Sequence, residues 1–146
     1  PKRDWSSDVC SSDLTMEKLP AQVMTWIDGH AFATIGTNLP NGYPHLSIVW
    51  IAYDGDDLLV STVKGRRKHR NIEADNRVSV LISPQDNPYQ YAEIRGTATM
   101  TEEGGRELID SLCREYTGAD RYTMDDGTDN VRIVVRIAAD KVVLRA

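Results

Sequence analysis

The dipeptide Asn41-Gly42 lies between two short runs of strand-like composition, Ala31–Thr37 and Pro44–Tyr53, and restricts the fold more than any other local feature. Both residues tolerate positive φ, so the pair closes a hairpin and makes the flanking runs antiparallel neighbours. Asp54-Gly55-Asp56-Asp57 reads as a second turn and leads into a third strand at Leu58–Val63. The first three strands are then consecutive and antiparallel. Further strands are predicted at Arg77–Ser83, where Val78, Val80 and Ile82 share a face, and at Tyr89–Met100, where Gly96 marks a bulge or bend. Val131–Ile137 alternates again, and Val142–Leu144 closes the chain. Six or seven short strands in 146 residues point to one mainly-β (α+β) domain whose antiparallel sheet curls into a barrel.

Helical spacing is confined to three places. Leu19, Val23, Trp26 and Ile27 recur every three or four residues, and Gly29 ends that helix. Arg66–Asp75 suits a short charged helix. Leu108, Ile109, Leu112, Cys113 and Tyr116 form one apolar stripe stopped by Gly118, with Thr101 as the predicted N-cap and Glu102 and Glu103 facing the helix dipole.

Composition narrows the setting. The longest uninterrupted apolar stretch, Ile48–Ala52, is far short of the roughly 20 residues of a bilayer-crossing helix. A net charge of -5 argues against non-specific binding to nucleic acid or to an anionic membrane. Two cysteines, Cys10 and Cys113, are too few for a disulfide framework, and no CxxC or HExxH spacing offers a metal site. The expected setting is cytoplasmic. Asp4 to Leu14 (Asp-Trp-Ser-Ser-Asp-Val-Cys-Ser-Ser-Asp-Leu) has neither helical nor strand period and resembles one reading frame of a common short-read sequencing adapter. Residues 1–14 are therefore expected to be a non-native tail, with Met16 as a candidate start and residues 15–146 as a single domain. Cys113 would then be the sole cysteine, a small buried hydrophobe in its helical stripe.

One cluster stands out chemically. Lys64, Arg66, Arg67, Lys68 and Arg70 place five of the 17 basic residues within seven positions of an acidic chain. They follow a strand and Gly65 and open the short helix, where backbone N–H groups and cationic side chains together suit a phosphate. Ser61 and Thr62, at the end of the preceding strand, add hydroxyl donors. A solvated face, a nucleic-acid patch, or ion pairing with Glu73, Asp75 or the acidic loop near Asp125 would explain the same residues.

The run Ser61-Thr62-Val63-Lys64-Gly65-Arg66-Arg67-Lys68-His69-Arg70-Asn71-Ile72 resembles the cofactor phosphate loop of the pyridoxamine 5′-phosphate oxidase-like split-barrel family, and within it the deazaflavin (coenzyme F420) oxidoreductases. Ala31–Thr37 with Asn41-Gly42-Tyr43-Pro44-His45-Leu46-Ser47, Arg77–Ile82, and Asn87-Pro88-Tyr89-Gln90-Tyr91 with Arg95-Gly96 match in the same order, from Leu19 to Val143. The resemblance implies a six-stranded FMN-binding split β-barrel with a few peripheral helices, forming a homodimer with cofactor sites at its interface. It implies that Arg66 and Lys68 bind the cofactor phosphate and that Ser61 and Thr62 lie beside the ring or its ribityl chain. His45 and the strand from Ser47 to Trp50 would line the ring groove. Tyr89, and less directly Tyr91, would come from the second subunit, and Asn71 would hold the loop through its backbone. His45 also suits a solvated loop, Trp50 a core or an interface, and the two tyrosines plain packing. His30 and His69 receive no role.

The activity implied is hydride transfer from reduced F420 to a small organic acceptor. FMN is the alternative cofactor, and a non-catalytic flavin, haem or tetrapyrrole carrier is the other reading. No acid–base dyad or nucleophile triad is evident, as expected where a cofactor carries the hard chemical step.

Overall fold

Two residues, Trp50 and Ile51, separate the strand Pro44–Val49 (β2) from the strand Ala52–Asp54 (β3), yet these two strands form opposite edges of one sheet. The computed structural model describes residues 17–145, so the expected adapter-like tail, Met16 and Cys10 lie outside the described residues. The sheet has seven strands in the order β2-β1-β5-β6-β7-β4-β3, every neighbour antiparallel. The others are β1 (Ala33–Asn38), β4 (Asp57–Val63), β5 (Arg77–Ile82), β6 (Tyr91–Thr101) and β7 (Arg132–Arg145). Laid flat, such a sheet would measure about 29 Å across, at about 4.8 Å per strand. The chain from Val49 to Ala52 spans at most about 11 Å. The sheet must therefore roll until its two edges almost meet, leaving a seam that carries no ladder between β2 and β3.

Two sequence expectations are corrected here. The barrel was expected to have six strands and has seven, because the run Pro44–Tyr53 is not one strand but two that belong to opposite edges. For the same reason the first three strands do not form a meander. The hairpin at Asn41-Gly42 pairs β1 with β2, closed by Asn41 Oδ1, which accepts from the Tyr43 amide at 3.0 Å. The next strand, β4, pairs with β3 and with distant β7. The two C-terminal runs are continuous in β7.

The alternation serves one interior. Ile35, Leu58, Val60, Val80, Ile82, Ile94, Val135 and Ile137 fill it, and helix α1 (Ala21–Asp28) adds Val23 and Ile27. Helix α2 (Arg67–Ala74) contributes Ile72. Helix α3 (Gly105–Thr117) instead buries Ile109, Leu112 and Cys113 outside that cluster, against β4 and β7. It starts later than predicted. Thr101 is the last residue of β6 and Gly104 is the N-cap, because Gly105 sits so close to the Arg132 carbonyl that no side chain fits there. No helix among the described residues is long and apolar enough to cross a membrane.

Tyr116 of α3 closes the seam. Its hydroxyl lies 2.7 Å from the Ala31 carbonyl and accepts from the Ile51 amide at 3.2 Å. It thus ties the chain before β1 to the link between the two sheet edges, satisfying a backbone amide that no strand partner reaches. Burial pushes the phenol above its usual pKa, consistent with a neutral donor.

The expected bulge at Gly96 is present as a register shift between Arg95 and Gly96 opposite β7. A Cβ at Gly96 would lie 2.5 Å from the Ala138 carbonyl oxygen and 2.7 Å from Ile137 Cγ2. Gly96→Ala is expected to cost about 1–3 kcal/mol, as overpacking against backbone does. Urea unfolding measures it, and an unchanged midpoint would contradict this close approach.

Candidate functional site

Gly65 has φ of 87°, a conformation that costs side-chain-bearing residues energy, and it lets the chain turn sharply from the end of β4 into α2. The turn is held by His69, whose Nδ1 accepts from the Gly65 amide at 3.0 Å while the ring is buried. The bond requires the neutral tautomer with hydrogen on Nε2, which faces Glu73 Oε2 at 3.7 Å. His69, to which the sequence reading gave no role, thus fixes the loop.

Asn71 bonds elsewhere. Its amide donates to Thr37 Oγ1 at 3.0 Å, a buried pair that ties α2 to β1, and its Oδ1 accepts from Arg67 at 3.4 Å. The expectation that Asn71 holds the loop backbone is corrected: i,i+4 geometry brings His69 back over Gly65 and turns Asn71 toward the barrel.

Around this turn a cavity of about 390 Å³ opens, within the range of small-molecule sites. β2 and the seam supply His45, Ile48, Val49 and Trp50; β4 supplies Ser61, Thr62 and Val63; the turn and α2 supply Arg66, Arg67 and Lys68. Ile109 and Leu112 of α3, with Tyr122 and Arg132, complete the wall. Six of the eight residues singled out from sequence therefore line one cavity, while Asn71 and Tyr89 do not. Tyr89 is 87% exposed on the loop between β5 and β6.

Charge is distributed unevenly along the wall. Lys64 pairs with Glu102 at 2.8 Å and points away from the cavity. Arg66, Arg67 and Lys68 have no carboxylate within 4.0 Å among the described residues, so ion pairing does not explain the cluster. Lys68 Nζ instead donates to Ser47 Oγ at 2.7 Å, and burial without a counter-charge lowers its pKa. His45 Nδ1 is buried with no hydrogen-bond partner among the described residues, a polar group left unsatisfied at the wall.

Arg132 is the opposite case. Asp125, almost wholly buried, accepts from Arg132 Nε at 2.7 Å and Nη2 at 3.1 Å, from Arg106 at 2.9 Å and from Asn130 at 2.9 Å. Hydrogen bonds from Arg132 foremost hold this carboxyl well below the usual carboxylate range. Arg132 Cζ stacks 4.7 Å over the Tyr122 ring, Tyr122 meets Trp50 edge-on at 6.2 Å, and Trp50 stacks on Tyr116 at 5.7 Å. Arg132 and Tyr122 were not selected from sequence. Their contacts reach across 71 residues to Ser61 and about as far to Trp50, and local spacing carries no trace of either.

The cavity thus combines three cations that have no carboxylate partner among the described residues with apolar and aromatic lining from Ile48, Trp50, Ile109, Leu112 and Tyr122. A family model described as pyridoxamine 5′-phosphate oxidase matches residues 19–144. The chain belongs to the pyridoxamine 5′-phosphate oxidase family. Solved structures agree on the fold. One is named F420 reductase, with 24% identity, a TM-score of 0.74, and coverage of 86% of this chain and 98% of that one. Another is a conserved hypothetical protein from Mycobacterium tuberculosis, with 24% identity, a TM-score of 0.69, and coverage of 90% and 87%. A third is General Stress Protein 26 from Bacillus anthracis, with 17% identity, a TM-score of 0.65, and coverage of 86% and 92%. The rolled sheet is thus a split barrel of this family, with seven strands.

Removing Asp125 would leave Arg132 buried without its partner. Asp125→Ala is expected to cost about 3 kcal/mol, the lower end for breaking a buried pair, in denaturant titrations at pH 7. A depressed carboxyl stabilises fully above its unfolded pKa of about 3.9 and loses that contribution as pH falls toward its folded value. Wild type should therefore lose stability below about pH 4 more steeply than Asp125→Asn, and parallel acid limbs would refute the coupling.

Proposed function

We propose that the protein is an oxidoreductase that holds a phosphate-bearing coenzyme in this cavity, F420 in the first reading and FMN in the alternative, and reduces a small organic acceptor. The observation that carries the proposal is the set of three cations, Arg66, Arg67 and Lys68, that share one cavity and have no carboxylate partner among the described residues. Lys68 is partly desolvated, which costs energy without an anion, and a phosphate would meet its ammonium and the two guanidinium groups with charge-assisted bonds. The 24% identical structure named F420 reductase favours the deazaflavin. The same cations would serve the terminal phosphate of FMN.

The residues fit such a group. Arg66 and Lys68 hold the phosphate, with Arg67 beside them and no side chain capping the N-terminus of α2. Ser61 and Thr62 lie beside the ring or its ribityl chain, and His45 and Trp50 line the ring groove. Ile109 and Leu112 exclude water from that end. Bound there in reduced form, the coenzyme would supply the hydride, and the protein's part is anchoring, orientation and desolvation.

β2 contributes both to the cavity wall and to an exposed apolar face, which a second copy of the chain would cover. Leu46 is 64% exposed and Ile48 is 74% exposed, on the outer face that also carries Leu81 and Val143. Ile48 also lines the cavity, so the apolar face and the site are continuous. An apolar patch on a sheet edge is a self-association surface. The homodimer that covers it would bring the exposed Tyr89 of one copy toward the site of the other.

Fluorescence titration with F420 and FMN in parallel tests the coenzyme. Arg66→Ala combined with Lys68→Ala should weaken binding by about 2–4 kcal/mol, roughly 1–2 per charge-assisted contact, and leave riboflavin, which lacks the phosphate, unaffected. An unchanged dissociation constant removes the phosphate assignment. Leu46→Glu with Ile48→Glu should convert a dimer into a monomer by light scattering, with weaker coenzyme binding. A wild-type monomer that binds coenzyme as tightly would defeat the shared site.

A further inference from the structure

Arg132 faces the cavity but differs from its other cations, because Asp125 already balances its charge. What it does with its remaining donor defines a second job. In the β4–β7 ladder Arg132 stands opposite Val63 and Ser61 stands opposite Val134, so the two side chains are diagonal neighbours on one face. The guanidinium is a planar fork that only donates. Nε and Nη2 are committed to Asp125, and the plane is stacked on Tyr122. Nη1 is left, and it reaches Ser61 Oγ at 3.4 Å. That distance is long for an N–H···O bond, so the contact is weak in itself, and the fixed guanidinium behind it adds a positive field at the hydroxyl.

Its consequence is directional. Ser61 Oγ receives a hydrogen from Arg132 and cannot return one, since the guanidinium has no lone pair to accept it. Among the described residues no hydrogen bond takes the Ser61 proton, and the side chain lines the cavity. A hydroxyl ordinarily switches between donor and acceptor. Here the positive group behind it leaves the proton to point away from Arg132, toward a ligand acceptor.

We infer that Arg132 is a positioning residue that acts through Ser61, making this hydroxyl a hydrogen-bond donor to a carbonyl oxygen or ring nitrogen of the bound coenzyme. The inference rests on the coenzyme reading above and adds to it which atom type of the ring Ser61 meets. It also assigns the buried Asp125 hub, with Arg106 and Asn130, to the rigidity of the fork.

The test titrates F420 and FMN against wild type, Arg132→Lys, Ser61→Ala and the double variant, reading the dissociation constant, the visible absorption band of the bound ring and the melting temperature. Lysine can keep the pair with Asp125 but has no fork to reach Ser61, and Arg132→Gln replaces it should the lysine variant not fold. Each single change should weaken binding about three- to tenfold, the size of one neutral hydrogen bond, and move the band in the same direction. The double variant should bind no worse than either single one, and Ser61→Thr should restore both readouts. Losses that multiply in the double variant, or an Arg132→Lys protein with unchanged affinity and band, overturn the positioning role while leaving the coenzyme reading intact. A weakening by Arg132→Lys that tracks the melting temperature while Ser61→Ala is silent overturns it as well. Wild type that binds neither coenzyme overturns both.

Discussion

The hydroxyl of Tyr116 lies at the seam, where β2 and β3 share no ladder of hydrogen bonds. Because Trp50 and Ile51 carry the chain from one edge of the sheet to the other, their backbone has no ladder to join. A side chain from α3 supplies the partner for Ile51 and at the same time ties the segment before β1. This seam sets the geometry of everything around the cavity. It presents Trp50 to the interior of the site, brings α3 with Ile109 and Leu112 over β4 and β7, and leaves β2 as an edge with an apolar outer face. A closed barrel would have satisfied the same backbone groups but left no cleft.

Two electrostatic regimes lie side by side in that cleft. Arg132 is neutralised, stacked and forked onto a buried carboxylate, so it behaves as scaffold. Arg66, Arg67 and Lys68 are concentrated at a turn held by Gly65 and His69, and no carboxylate among the described residues lies within 4.0 Å of them. The contrast separates a cation whose partner lies inside the fold from cations that have no carboxylate partner among the described residues. It is also why the charge density of the basic cluster matters less than its pairing. Lys64 belongs to the cluster in sequence but pairs with Glu102 and does not line the cavity.

Much of the fold was legible in the chain. Alternation at Val78, Val80 and Ile82 and at Ile133, Val135 and Ile137 reports burial on one face, which depends only on near neighbours. The turns at Asn41-Gly42 and Asp54 to Asp57 were legible for the same reason. Illegible were features set by partners far away. Pro44–Tyr53 reads as one strand because its composition is uniform, and only the roll of the sheet divides it. Thr101 has the chemistry of an N-cap, but the close approach of Gly105 to the Arg132 carbonyl delays the helix. Six of the residues that line the cavity came from the family resemblance, which is carried by motifs around one turn and one hairpin. Arg132, Tyr122 and Asp125 could not, since their contacts join strands and loops from separate parts of the chain.

The amino-acid order by itself therefore indicated most of the strands, the three helices and the presence of a concentrated cationic turn, because periodicity, turn chemistry and charge density act over a few residues. Tertiary structure decided the strand count, which cations are left without a counter-charge, which histidine holds the loop, and which wall faces them. Those outcomes depend on pairing between residues far apart in the chain, as when Arg132 meets Ser61 across 71 positions, and no local pattern encodes which distant groups will meet.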